Sequence, residues 1–506
     1  MSTKAALISV YDKTGLEKFA QGLLLHGYSI VSTGGTAAFL KELHIPVRLV
    51  EDITNVIELL DGRVKTLHPA IFGGILARRN HPADVNTLSQ LHYPLFDMVV
   101  VSLYPFSDAL TKSLPQEQLL EYIDIGGVSL LRAAAKNFRD VLVVSDVLDY
   151  PKVLEHLTNP VNNFAIQHAS KAFQLTASYD ALIAQYFNQS NDVLFPQSLT
   201  LTYTLDDVLR YGENPHQQAA VYKEINASSP LLDASILHGK KLSYNNLRDA
   251  EAALQLLREF KKPTVVALKH LNPCGVSSKE TLLEAWNEAF HADSISIYGG
   301  IVATNQMIDY QTALSMHSLC LEIIIAQGCE LEALKLLQKK KNLRLLAIND
   351  FTTKNVVSSV SIEGGLLYQT SDTSAITFED FELVSTQCPS PQEYIDLLFA
   401  IRIARHVKSN AIVIAKNETT LGIGAGQMNR VGAANIALTQ ANSKSIGSVL
   451  ASDGFIPMVD TIHLAAKYGI KAIIQPGGSV NDKEVIEQCN AYNISMVFTK
   501  KRYFKH

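Results

Sequence analysis

The chain has 506 residues, 47% of them hydrophobic, with 44 Lys+Arg against 49 Asp+Glu, a formal net charge of −5 and a pI near 6.3. That length predicts two to four domains with large cores. The charge balance excludes a general nucleic-acid binder while leaving room for local cationic pockets that hold small anions. The most apolar runs are short, and the one at 397–404 is interrupted by Arg402, so no membrane span is expected. The start carries too few apolar residues for a signal peptide. Five cysteines without Cys-x-x-Cys spacing predict neither disulfides nor a zinc site. The composition reads as a soluble, reduced, cytoplasmic protein.

In the first ~195 residues, short apolar strands alternate with amphipathic helices, the pattern of a layered α/β domain. Strands are expected at 5–10, 28–31, 97–101 and 141–144, and helices at 16–26, 36–43 and 164–187. The polar run 188–192 and Pro196 then mark a domain boundary. Beyond Leu199 the alternation resumes, with strands expected at 264–268, 301–303, 322–326, 411–416, 471–474 and 495–498. The segment 371–386 lacks periodicity and is expected to join two subdomains. Lys339-Lys340-Lys341 reads as a solvated helix end.

Two N-terminal turns follow a strand and open a helix: Ser9-Val10-Tyr11-Asp12-Lys13-Thr14-Gly15 and Ser32-Thr33-Gly34-Gly35-Thr36. Exposed N–H groups and the helix dipole bind phosphate at such places, and glycine lets the backbone approach closely. Each alone could be an ordinary βα turn; two on neighbouring strands, one with Lys13, favour an anion site. Asp61-Gly62-Arg63-Val64-Lys65-Thr66-Leu67-His68-Pro69 adds cations and a histidine beside glycine turns. Ser102-Leu103-Tyr104 ends a buried strand, where α/β proteins place ligands. Asp124-Ile125-Gly126-Gly127 opens a helix whose Arg132 and Lys136 share a face, which suggests an Asp–Lys acid/base pair near Tyr104. An ordinary surface ion pair is the competing reading of that segment.

The second half carries denser signals. Val265-Val266-Ala267-Leu268 reads as a buried strand that delivers Lys269 and His270 into a turn formed by Asn272-Pro273-Cys274-Gly275. A lysine beside a histidine at a strand end suits proton transfer. Neighbours on a strand face opposite ways, so both reach one substrate only if the backbone leaves strand geometry there. Arg210-Tyr211-Gly212-Glu213-Asn214-Pro215-His216-Gln217 and Leu242-Ser243-Tyr244-Asn245-Asn246-Leu247-Arg248-Asp249 are too rich in polar groups for plain connectors. Gly422-Ile423-Gly424-Ala425-Gly426 lacks the spacing of a dinucleotide fingerprint and is expected to form an anion nest beside Arg430.

Together these motifs resemble, in order and over nearly the whole chain, the bifunctional purine-biosynthesis family that combines AICAR formyltransferase with IMP cyclohydrolase. The motifs at 210–217 and 268–276 are specific to it; the glycine turns are not. The resemblance implies an α/β fold: an N-terminal methylglyoxal-synthase-like three-layer cyclohydrolase domain over 1–196, then two cytidine-deaminase-like subdomains without zinc, about 199–370 and 371–506. A nucleobase deaminase is disfavoured, because Pro273-Cys274 has no Cys-x-x-Cys partner and no His-x-Glu supplies the third ligand and the acid/base.

For formyl transfer from 10-formyltetrahydrofolate, the resemblance implies that His270 relieves the substrate amine of its proton. Lys269 would protonate the leaving nitrogen and Asn410 would steady the formyl oxygen. Arg210, Tyr211, Gly299, Glu322, Arg430, Phe455, Arg502 and Phe504 would bind substrate. For the cyclohydrolase it implies Lys65, Tyr104, Asp124 and Lys136 as catalytic, with Ser9, Lys13, Thr33, Gly34, Gly35, Thr36 and Arg63 holding the nucleotide. It further implies a cytoplasmic homodimer acting on small-molecule nucleotide and folate substrates, with no catalytic metal, nucleic acid or membrane. Two positions depart from the family pattern: Tyr11 stands where a small serine is usual, and Glu322 where an aspartate is. The alternative is that only the formyltransferase works and the N-terminal domain is a nucleotide-binding regulatory module.

Overall fold

The computed structural model describes residues 4–57, 59–60, 62–352 and 357–506. The chain divides into two compact units, 1–204 with 224–227, and 205–223 with 228–506. In the first, β1 (Lys4–Val10), β2 (Tyr28–Ser32), β3 (Arg48–Leu49), β4 (Met98–Ser102) and β5 (Leu142–Val144) form a parallel sheet of order β3-β2-β1-β4-β5. β1 is buried on both faces. Ala5 and Leu7 pack with Ile71 and Leu130, while Ala6, Ile8 and Val10 pack with Leu16, Phe19 and Leu23. Continuous rather than alternating apolarity follows from that two-sided burial. The order reverses between β1 and β4, so their carboxyl ends flank the crevice where such sheets bind ligands. The expected helix at 164–187 runs on to Ser190, through the polar residues read as its end.

The second unit is built on one twelve-stranded sheet made of the same six-strand pattern twice. In the first half, the hairpin Thr264–Lys269/Asn272–Ser278 is extended by Ile301–Thr304, Ile323–Ala326, Arg344–Ala347 and Ser235–His238. In the second, the hairpin Ile412–Lys416/Thr419–Gly424 is extended by Val449–Ser452, Ala472–Gln475, Ser495–Phe498 and Glu382–Leu383, with the same directions. The halves meet at Ser277↔Thr419, where buried hydroxyls supplement the backbone pairing: Ser277 Oγ to Thr419 Oγ1 at 2.8 Å, and the Val276 N–H to Thr420 Oγ1 at 2.9 Å. On one face, helices Tyr244–Leu257 and Pro391–Ala404 share a single core; on the other, each half has its own.

The expected turn at Asn272–Gly275 is instead the start of a strand. The turn is the two-residue loop His270-Leu271, with φ of 52° and 66°, the left-handed pair that a tight hairpin requires. Pro273, which has no N–H to give, sits beside the register shift between Pro273 and Gly275. The aperiodic 371–386 stretch is tied down by two arginines: buried Arg405 donates to the carbonyls of Ser374 and Asp372, and partly buried Arg402 to that of Ile376 at 2.8 Å. Among the described residues no helix is long and apolar enough to cross a membrane.

Candidate active site

In the first unit, the predicted residues gather at the carboxyl ends of β1, β2 and β4. Thr36 Oγ1 accepts from the Val10 N–H at 3.1 Å and donates to the Val10 carbonyl at 3.0 Å, and Ser9 Oγ lies 3.4 Å from Thr33 Oγ1. The two turns are thus one hydrogen-bonded surface. Ser102 Oγ accepts from the Asp12 N–H at 3.0 Å, which joins β4 to it. Lys13 Nζ approaches the Tyr11 carbonyl at 3.4 Å.

Gly34, with φ of 41°, opens the second helix, and a Cβ there would stand 3.2 Å from Lys65 Nζ. That brings Lys65 against the glycine turn. Asp124 accepts from the Gly127 N–H at 2.7 Å and also from the Tyr104 backbone. Burial raises its carboxyl above the ordinary value, with those hydrogen bonds opposing. The Tyr104 ring meets the edge of Tyr11 at 5.7 Å, so the residue that departs from the family pattern packs on a predicted catalytic one.

Three of the marked residues have surroundings that the sequence did not indicate. Arg63 pairs with Glu121 on the surface. His68 caps the helix Pro69–Leu76, its Nδ1 accepting from the Ala70 N–H at 3.1 Å, and so has a structural use. Lys136 closes the helix that Asp124 introduces, about 15 Å along its axis from Gly126, farther than a lysine side chain spans. With Arg132 it lines a groove of about 770 Å³ with Phe72, Phe138 and Phe173. Within one chain, then, Lys136 and Asp124 do not form a pair. Asp61, which opens the 61–69 motif, lies outside the described residues.

In the second unit, hydrogen bonds chain the main motifs together. Lys269 Nζ donates to the Tyr298 carbonyl at 2.8 Å, next to Gly299, whose φ is 72°. The backbone leaves strand geometry at His270, as the sequence requires if both side chains serve one substrate. Asn272 donates to the His270 carbonyl at 3.2 Å and accepts from the Lys408 N–H at 3.0 Å. Two residues on, Asn410 follows a cis peptide and donates one amide N–H to the Gln427 carbonyl at 2.7 Å.

Sequence reasoning singled out 242–249 without giving its residues tasks. Asn246, in the capping box of Ser243, donates to Glu322 at 2.8 Å, and Asn245 donates to the Glu213 carbonyl at 3.1 Å. Arg248 pairs with Glu213. One helix start therefore holds Glu322 and the 210–217 motif, in which Arg210 lies over the Tyr211 ring at 5.7 Å.

Arg430 is 6% exposed and committed to Asp453, which also takes the Ser409 hydroxyl and the Ala411 N–H. It is an internal brace, where an open anion ligand was expected. Asp453 was overlooked in sequence, although its loop was not. The glycine string also differs from an anion nest: a Cβ on Gly422 or Gly424 would stand 2.0 or 1.9 Å from the carbonyls of Ala437 or Ala433. Those glycines let the helix Arg430–Ala441 lie directly on its strand. The C-terminal tail is ordered: the Tyr503 N–H bonds the Asp453 carbonyl at 2.8 Å, and Ser409 and Lys505 exchange two bonds. This sets Arg502 over the Phe504 ring at 4.9 Å. Phe455 and Phe504 remain partly exposed. Among the described residues no group of three His, Cys, Asp or Glu could hold a metal ion.

Comparison with known proteins finds two family models. A family model for an MGS-like domain matches residues 15–129, and one for the AICARFT/IMPCHase bienzyme matches 134–440. The bifunctional purine biosynthesis protein PurH of Oceanobacillus iheyensis is 49% identical over 510 residues, covering 100% of both chains. That of Enterococcus faecalis is 49% identical over 513 residues, again with 100% of both. That of Listeria monocytogenes is 50% identical over 508, covering 99% of this chain and 100% of its own.

Proposed function

This chain belongs to the AICARFT/IMPCHase bienzyme family, and we propose on that premise how its residues share two reactions. It catalyses the last two steps of purine biosynthesis: transfer of a formyl group from a folate co-substrate to the amine of AICAR, and cyclisation of the product to IMP. The C-terminal domain, taken as 199–506, carries out the first reaction. With 10-formyltetrahydrofolate, the amine attacks the formyl carbon, and His270 accepts the proton that the amine sheds. Lys269 gives a proton to the folate nitrogen as it leaves. Asn410, with a second amide N–H beyond the one given to Gln427, steadies the formyl oxygen as it gains charge. Glu322, Gly299, Arg210, Tyr211, Phe455, Arg502 and Phe504 surround the substrates; Arg430 acts through Asp453 and the tail. The observation that carries this reading is the hydrogen-bonded path from His270 through Asn272 and Lys408 toward Asn410.

The N-terminal domain, taken as 1–196, carries out the cyclisation. The carboxamide nitrogen attacks the formyl carbon and water leaves, with Lys65, Tyr104 and Asp124 handling protons. Ser9, Lys13 and Thr33–Thr36 hold the nucleotide, with Arg63 at the rim. A carboxyl whose ionisation burial disfavours suits proton exchange near neutrality better than an ordinary surface aspartate. Lys136 joins this chemistry only in a homodimer that brings it to the other copy's Asp124. We take a cytoplasmic homodimer as the working form. No observation favours a purely regulatory N-terminal unit.

The test is product analysis after mixing the purified protein with AICAR and 10-formyltetrahydrofolate. IMP is the expected product. Accumulation of the formylated nucleotide would overturn the cyclohydrolase assignment, and no consumption of either substrate would overturn both.

A further inference from the structure

The formyltransferase unit holds the same local frame twice, and only one copy carries an imidazole. In the first half, Ser243 caps the helix Tyr244–Leu257, and Asp249 stands six residues further on. Its carboxylate accepts from the Leu271 N–H at 2.8 Å and from the His270 N–H. In the second half, Ser390 caps Pro391–Ala404 with the same reciprocal box, and Asp396 again stands six residues on. Its carboxylate accepts from the Asn417 and Glu418 N–H groups, both at 2.8 Å. Each clamped pair is a left-handed two-residue turn, with φ of 52° and 66° in the first and 53° and 51° in the second. Even the preceding lysines match: Lys269 Nζ reaches the Tyr298 carbonyl at 2.8 Å, and Lys416 Nζ the Ile446 carbonyl at 3.0 Å.

Asparagine and histidine are among the side chains that enter the left-handed region, whereas leucine and glutamate hold it poorly, so each turn gains from an outside anchor. A carboxylate that accepts from two successive N–H groups makes two charge-assisted bonds and fixes the peptide plane between them. That plane sets the direction in which the His270 side chain leaves the backbone. Asp249 also lies close enough to interact electrostatically with His270, and burial raises its own carboxyl.

We propose that Asp249 is a positioning residue for formyl transfer, acting through the His270 and Leu271 N–H groups to hold the imidazole toward the reacting amine. This rests on the reading above in which His270 takes the amine proton. Asp396 is the built-in control: it makes the same clamp where no proton is transferred.

The experiment compares Asp249→Asn, Asp396→Asn, His270→Ala and the Asp249→Asn/His270→Ala double variant in the full chain. Formyl transfer, cyclisation and thermal melting are measured for each. An amide keeps one acceptor and turns an N–H toward the other donor, so both asparagine variants lose melting temperature. Only Asp249→Asn should lose formyl-transfer kcat, by about 10- to 100-fold, with nucleotide KM within about 3-fold and cyclisation unchanged. The double variant should be no slower than His270→Ala, since residues acting through one another do not add. Multiplied losses, or equal kcat in the two asparagine variants, would overturn the proposal while leaving His270 in place. Full activity of His270→Ala would instead bring down the proton-transfer reading and the proposal with it. Should Asp249→Asn unfold the unit, Asp249→Glu gives the same reading. Slower transfer at unchanged melting supports the role, and wild-type kcat removes it.

Discussion

Tyr11 turns its ring edge to Tyr104 at 5.7 Å, and an exposed aromatic pair of this kind contributes about 0.5–1 kcal/mol. Tyr11→Ala should therefore slow cyclisation about 3-fold, through a less restrained Tyr104, and leave formyl transfer unchanged; equal rates in a coupled assay would contradict that. Asp124 offers a sharper test. Burial raises its carboxyl, so the ionised form carries a penalty in the fold that is full above the folded pKa. The penalty fades as pH falls toward the ordinary value of 3.8. Asp124→Asn should accordingly melt higher than the parent at pH 8, with the gap closing on acidification, while cyclisation is lost. Identical melting curves at every pH would refute the link. Neither effect was visible from residue types: the sequence marked Asp124 and Tyr104, but burial and ring contacts come from distant elements.

At the scale of elements, the central strands were legible because burial on both faces leaves unbroken apolar runs. The hairpin bearing Lys269 and His270 was misjudged for a physical reason. Asn272, Pro273 and Gly275 are strong turn formers, yet here they begin a strand, and Gly275 admits the helix Leu282–Ala292, whose Ala289 carbonyl would lie 2.1 Å from a Cβ. The actual turn holds a leucine in a left-handed conformation, which no local propensity predicts, and its anchor, Asp249, is 22 residues away. Gly422 plays the matching packing role in the second half. Gly422→Ala should cost about 1–3 kcal/mol, because the opposing atoms are backbone and cannot turn aside. Urea denaturation reads the loss, and formyl transfer should fall too as the helix bearing Arg430 shifts. Much of the clustering of the marked residues at strand ends was legible, while the Arg430–Asp453 brace was not, because a buried ion pair and an open anion site use the same residue types.

For the whole molecule, the separation of Lys136 from Asp124 makes a prediction about assembly. Lys136→Ala and Asp124→Asn should each abolish cyclisation. If the two residues meet across a homodimer, mixing the variants should restore roughly a quarter of the parent rate: half the dimers are mixed, and each has one intact site of two. Residues acting within one chain would restore nothing. The internal repeat of the second unit was invisible as sequence similarity, since its two frames share geometry and few residue identities.

The core shared by the helices Tyr244–Leu257 and Pro391–Ala404 has a consequence for how the chain is made. The sheet closes on partners 142 residues apart, at Ser277 and Thr419. A ribosome adding about 5–20 residues per second leaves the first half waiting roughly ten seconds for the second. Throughout that interval the part of this core that the second half supplies, Leu397, Ile401 and Val413 among it, is missing. A chain stopped near residue 370 should collect in the insoluble fraction, and full-length synthesis should lean on holding chaperones during that wait.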